Sequence, residues 1–136
     1  MACELCEGTG GELLWQGTFC RVVYVEEAGY PGFCRVIWQA HVKEMTDLSE
    51  AERMHLMEVV FAVESVLREQ LDPVKINLAS LGNAVPHLHW HVVPRYADDP
   101  HFPQPIWSTP RRPVASDRPH PATAALAGAI AAALEQ

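Results

Sequence analysis

The sequence predicts an α+β fold: a mostly antiparallel, five-stranded sheet with one long helix, then a proline-rich arm and a short terminal helix. Three observations lead there. Five short runs rich in β-branched and aromatic residues are separated by Gly, Asn or Pro. One long stretch repeats apolar side chains at helical spacing. The texture then changes at Pro94, because eight of the eleven prolines lie between there and Pro121.

The first three strands are "GELLWQG", "CRVVYV" and "FCRVIWQ", joined by hairpins, the second of them through the "GYPG" turn. The helix lies in "DLSEAERMHLMEVVFAVESVLREQLDP". Ser49 and Glu52 make an S-x-x-E capping box at its start, Leu56, Val60, Val63 and Leu67 recur along one face, and Pro73 ends it. "VKINLAS" is a fourth strand, "LGNAVP" a connection, and "HLHWHVVP" the fifth strand. Beyond Pro94 the missing N–H donors exclude continuous sheet or helix, so the chain runs as an extended arm. The alanine-rich "ATAALAGAIAAALEQ" has the propensity to close as a helix. At 136 residues the chain fits one hydrophobic core. Residues 1–96 are expected to form that core with an N-terminal C-x-x-C segment, and 97–136 an extension of the same domain. There is no internal repeat.

A net charge of -7 gives no basic field to attract duplex nucleic acid, although a small anion can still be held by backbone N–H groups. "MACELCEGTGG" has neither the basic nor the apolar region of a secretory signal, and "ALAGAIAAAL" is too short to span a bilayer. These features predict a soluble, cytoplasmic protein with no membrane partner. Its four cysteines are then reduced, and Cys3 and Cys6 read as metal ligands or plain thiols. Cys20 and Cys34, inside apolar strands, read as small core hydrophobes.

The chemistry concentrates in "NAVPHLHWHVVPRY". On a strand His87, His89 and His91 share one face, while Leu88, Trp90 and Val92 share the other. A solvated polar face would need no such regular spacing. One metal on all three would strain, since the outer Cα atoms are roughly 13 Å apart on a strand, whereas ligand atoms on a tetrahedral zinc are only about 3.4 Å apart. A central imidazole acting as nucleophile or general base, with its neighbours orienting a substrate, fits without deformation.

"HLHWHVV" resembles the signature of the histidine triad superfamily, in which histidines alternate with apolar residues. That superfamily includes nucleoside phosphoramidate hydrolases, dinucleoside polyphosphate hydrolases and, more distantly, galactose-1-phosphate uridylyltransferase. "INLASLGNAVPHLHWHVVPR" is similar to its strand, Gly-loop and triad-strand unit, and "YPGFCRVIWQAHVKEMTDLS" to the preceding strand and helix entry. The likeness runs from Val22 to Arg95.

The resemblance implies that His89 is a nucleophile forming a nucleotidyl-histidine that water hydrolyses, with a backbone carbonyl holding its proton on Nδ1. It implies that His91 donates to a phosphate or leaving-group oxygen and that Asn77 steadies the site. The loop at Asn83, Ala84 and Val85 would contact phosphate, the latter two through their N–H groups. Glu26, with Glu27 as the alternative, would meet the ribose hydroxyls. Two departures bear on substrate: Ala84 stands where many members carry Ser or Thr, and Phe33 where many carry histidine. His91 replaces the glutamine of the uridylyltransferases, which favours hydrolysis over transfer.

Several bacterial relatives bind zinc through a C-x-x-C pair, a histidine after the third strand and the first triad histidine. Carried over, that set is Cys3, Cys6, His41 and His87, a structural zinc site that fixes His87 behind His89. No organic cofactor is implied. The family's habit implies a homodimer acting on a purine nucleotide, with the arm carrying Trp107 toward a neighbouring subunit's pocket. The alternatives are a nucleotide- or zinc-binding module with little turnover, and a nucleotidyltransferase.

Overall fold

A computed structural model describes residues 2–115 and 118–135. Five strands, β1 (Glu12–Gln16), β2 (Cys20–Tyr24), β3 (Cys34–Trp38), β4 (Lys75–Ala79) and β5 (His89–Arg95), form one antiparallel sheet in the order β1-β2-β3-β5-β4. The helices are α1 (Glu4–Glu7), α2 (Glu50–Leu71) and α3 (Thr123–Leu134), with a 3-10 turn over Met45–Asp47 before α2. The five-stranded α+β architecture is as the sequence predicts; α1 and the 3-10 turn are additions to it.

The capping box of α2 is made in both directions: Glu52 N–H donates to Ser49 Oγ at 3.2 Å, and Ser49 N–H to Glu52 Oε1 at 2.7 Å. Leu56, Val60, Val63 and Leu67 are all fully buried, as their spacing requires. The helix stops at Asp72, which turns left-handed (φ 46°) just before Pro73. Because α2 connects β3 to β4, and β5 returns between them, the histidine strand has hydrogen-bonded neighbours on both sides.

Period-two alternation divides the sheet cleanly. Cys20, Val22 and Tyr24 of β2, Cys34, Val36 and Trp38 of β3, and Val92 of β5 face the helical layer, where they pack with α2 and with Leu126 and Ile130 of α3. Cys20 and Cys34 are fully buried there, and burial pushes both thiols up to about 12. The opposite face carries Arg21 and Val23, then Arg35 and Ile37, then His89, His91, Val93 and Arg95. Two added segments cover its ends. The N-terminal segment packs Leu5 on Val23 and Ile37, and the turn and arm pack Tyr30, Phe33 and Ile106 around Val93. Between them lie the histidines.

β5 runs through Pro94 to Arg95, slightly past the expected break in texture. The β3 pairing ends at Cys34 opposite Val92, so Pro94, opposite Ile76, has a single strand neighbour and its missing N–H is tolerated. Gly32 (φ +92°) lets the turn before β3 close against this position, since a Cβ there would lie 2.4 Å from Leu71 Cδ1 and 3.1 Å from Pro94 Cγ. Among the described residues no helix is long and apolar enough to cross a membrane.

Candidate active site and metal centre

His89 and His91 leave β5 on the open face and are 8% and 5% exposed. His89 Nδ1–H donates to the carbonyl of His87 at 2.6 Å, which leaves the Nε2 lone pair unused. That is the tautomer a nucleophilic imidazole needs. The His91 ring stands edge-on to His89, with centroids 4.9 Å apart. On its other side Arg35 Nε donates to His91 Nδ1 over a long 3.4 Å, so the His91 proton belongs on Nε2 and makes that atom a donor. Burial, then the neighbouring His89 and Arg35, push His91 down to about 4. Phe33 and Trp107 both meet the His91 ring edge-to-face, at 5.8 and 4.9 Å.

His87 departs from the simple strand picture. Three imidazoles in line on one pocket wall require extended backbone throughout, but His87 N–H closes a turn onto the Val85 carbonyl at 2.8 Å and β5 begins only at His89. The fully buried His87 ring therefore turns away from its two companions. Its Nε2–H donates to the Trp38 carbonyl at 2.6 Å, and its Nδ1 faces Cys3 Sγ at 3.4 Å, Cys6 Sγ at 3.5 Å and His41 Nδ1 at 3.2 Å. Burial holds the imidazole below its ordinary value against the Trp38 hydrogen bond, with His41, Arg21 and His89 adding to the effect.

Cys6 Sγ also lies 3.4 Å from His41 Nδ1, and the four donor atoms fall within 4.8 Å of one another. The edges of a tetrahedral Cys2His2 zinc site measure roughly 3.4 to 3.8 Å, so these residues fit the metal in type and spacing. The Trp38 carbonyl supplies the outer hydrogen bond that fixes the ligand tautomer of His87. Arg21 anchors the cysteine segment: Nη2 donates to the carbonyls of Leu5 (2.7 Å) and Gly8 (3.0 Å), and Nε to that of Thr9 (2.9 Å).

The remaining expected residues are placed less uniformly. Asn83 and Ala84 are exposed on the loop before His87, and Ala84 and Val85 line a cavity with Cys3, Glu4 and His41. Gly82 (φ +75°) provides the left-handed entry to that loop. Asn77 shares the face of His91 through its pairing with Val93, but its Oδ1 accepts from Arg95 Nη1 at 2.7 Å, so it joins the arm's polar cluster. Glu26 and Glu27 both line a recess with Val114, Arg118 and His120 that no triad residue enters. Glu27 is near enough to Arg35 to support its charge. Trp107 lies on His91 of its own chain and is half exposed at 51%.

Sequence reasoning missed two groups. Arg35 was hidden in an apolar strand, although a charge at an alternate position of "FCRVIWQ" marks the face opposite the core. Arg95 and Asp99 form a buried pair, 2.8 and 3.0 Å apart through two hydrogen bonds. Their i, i+4 spacing was a signal only for a helix, and the segment is not one.

A sheet face that fixes the central histidine's tautomer between a second histidine and a Cys2His2 cluster defines a histidine triad protein. The chain belongs to the HIT domain family, which matches residues 12–98. Among solved structures it is similar to a histidine triad protein from Bradyrhizobium japonicum, with 27% identity, a TM-score of 0.73, and 97% of this chain and 95% of that one covered. A histidine triad protein from Sinorhizobium meliloti is similar at 25% identity and a TM-score of 0.74, with the same coverage, 97% and 95%. The NitFhit protein of C. elegans shares 25% identity at a TM-score of 0.60, over 70% of this chain but 24% of that one. No curated protein matches the chain.

Proposed function

We propose that the protein is a nucleotide hydrolase that cleaves nucleoside phosphoramidates or dinucleoside polyphosphates through a nucleotidyl-histidine on His89. The observation that carries this reading is the 2.6 Å bond from His89 Nδ1–H to the His87 carbonyl, because it frees Nε2 for attack at phosphorus. The Nε2 lone pair forms a bond to the α-phosphorus as the bond to the leaving group breaks. Water then attacks the same phosphorus, the N–P electrons return to Nε2, and a proton from that water passes to solvent.

His91 Nε2–H donates to an oxygen on which charge develops. The N–H groups of Ala84 and Val85, with the Asn83 loop, receive phosphate. Glu26, or Glu27 in its place, meets the ribose hydroxyls, and Asn77 acts on the site through Arg95. Zinc held by Cys3, Cys6, His41 and His87 is structural: it fastens the N-terminal segment and fixes the turn whose carbonyl orients His89. The substrate is a purine nucleotide, the protein works as a cytoplasmic homodimer, and 97–136 belong to the same domain as 1–96.

Incubation with adenosine phosphoramidate and with diadenosine tetraphosphate, followed by product analysis, tests the reading. AMP release is expected to fall by about a thousandfold or more in His89→Ala and to persist in Cys3→Ala. A binding module with little turnover is the second reading, favoured by the low exposure of His89 and by Trp107 over His91. Tight binding of both compounds without release of AMP would establish it instead.

A further inference from the structure

The open face holds a cation that the nucleophile and its neighbours do not explain. Arg35 sits on β3 directly opposite His91, half-buried, with its guanidinium 5.7 Å above the Phe33 ring. Among the described residues no carboxylate lies within ion-pairing distance of it, whereas Arg95 has Asp99 and Arg118 has Asp98. Its hydrogen bonds are two long ones, both 3.4 Å: Nε to His91 Nδ1 and Nη1 to the Gly10 carbonyl. An arginine kept only for packing or strand structure would normally have its fork filled, as Arg21 and Arg95 do here. Burial holds the guanidinium below its ordinary value, and Glu4 and Glu27 offset that only in part.

We infer that Arg35 is the receptor for the leaving group's phosphates, and that the site is therefore built for dinucleoside polyphosphates in preference to phosphoramidates. This deepens the hydrolase reading and rests on it. An amine expelled from phosphorus must pick up a proton. The groups that the hydrolase reading sets on the phosphates supply hydrogen bonds but no ready proton: His91 Nδ1 accepts from Arg35, so that ring is neutral while the bond stands, and the loop Asn83, Ala84, Val85, Pro86 carries no hydroxyl or ionisable side chain. A polyphosphate chain needs none. As the Nε2–P bond forms, the bond from the α-phosphorus to the bridging oxygen breaks, its electron pair stays on that oxygen, and a nucleoside polyphosphate anion departs. A guanidinium can meet two of its oxygens at once.

The test compares kcat/KM for diadenosine tetraphosphate and for adenosine phosphoramidate in the wild type, Arg35→Leu and Arg35→Lys, with AMP and ATP binding by calorimetry as a readout free of turnover. Arg35→Leu is expected to lower the tetraphosphate-to-phosphoramidate ratio by about 10- to 100-fold, and Arg35→Lys to recover part of it. Arg35→Leu should also abolish the preference for ATP over AMP. Equal loss on both substrates, with the ATP preference intact, would overturn the proposal and leave Arg35 as a positioning residue for His91. If the wild type hydrolyses neither compound, the hydrolase reading and its substrate choice both fail. Loss of the ATP preference in Arg35→Leu would then identify an anion receptor in a binding module.

Discussion

Two segments lie on the same open face of the sheet, one at each end of the histidines, and they are held in opposite ways. The N-terminal segment, residues 2–11, brings few apolar side chains: Leu5 is its one buried residue. It is fixed by polar geometry, through Arg21 on its carbonyls and a Cys2His2 cluster that closes around His87. The arm after Arg95 is held by charge buried in protein. Asp99, only 2% exposed, accepts from Arg95 and from the N–H groups of Tyr96, His101 and Phe102. Tyr30 also donates to it, at 3.1 Å. The first attachment includes a donor set that a metal ion could join; the second is complete within the chain.

That contrast predicts a ranking of perturbations. The largest effect belongs to Asp99→Ala, which leaves the Arg95 guanidinium buried and unpaired and is expected to cost about 3–5 kcal/mol in urea unfolding. An effect below 1 kcal/mol would show that the arm is held by its packing instead. The same residue sets an acid limit. Burial raises the Asp99 carboxyl, but the hydrogen bonds from Arg95 and three backbone N–H groups outweigh it and bring the group from 3.8 to about 2. A carboxylate lowered on folding contributes fully above its unfolded value and loses that contribution as pH falls through the folded one. Stability should therefore decline between about pH 4 and 2, and this part of the decline should be absent from Asp99→Ala.

Metal removal comes next. Chelation is expected to lower stability by on the order of 3 kcal/mol if zinc is present near a hundredfold above its dissociation constant. It should also speed hydrogen exchange in residues 3–11 while leaving the Asp99 region protected. Uniform loss of protection in both segments would mean that they are not independently held. The smallest effect is expected from Trp107→Ala. Trp107 is half exposed and meets only the edge of His91, so about 1 kcal/mol or less should be lost in the same unfolding curves. A larger loss would promote the aromatic contact above the ion pair as the arm's anchor.

Local rules made most of the frame legible. "CRVVYV" and "FCRVIWQ" form strands as read, the Ser49–Glu52 box closes, and Pro73 follows the end of α2. Within the site, the period-two rule placed His89 and His91 on one face, and the family resemblance implied the carbonyl acceptor that His89 Nδ1 has. The period-two rule failed at His87, where a single turn bond to Val85 breaks the extended run and swings the ring to the cysteines. It also left Arg35 unseen, because nothing along the chain says that β3 will lie beside the histidine strand.

Sequence alone thus determined the elements, the central imidazole and the likeness that gathers Cys3, Cys6, His41 and His87, since hydrophobic period, caps and short motifs act over a few residues. Tertiary structure decided which strand flanks β5, where the two added segments land, and which cation faces His91. Those depend on contacts between residues far apart in the chain, among them the Arg35–His91 pairing and the closure of Tyr30 and Trp107 over the sheet. Such contacts are selected by the packing of the whole core, and no local preference encodes them.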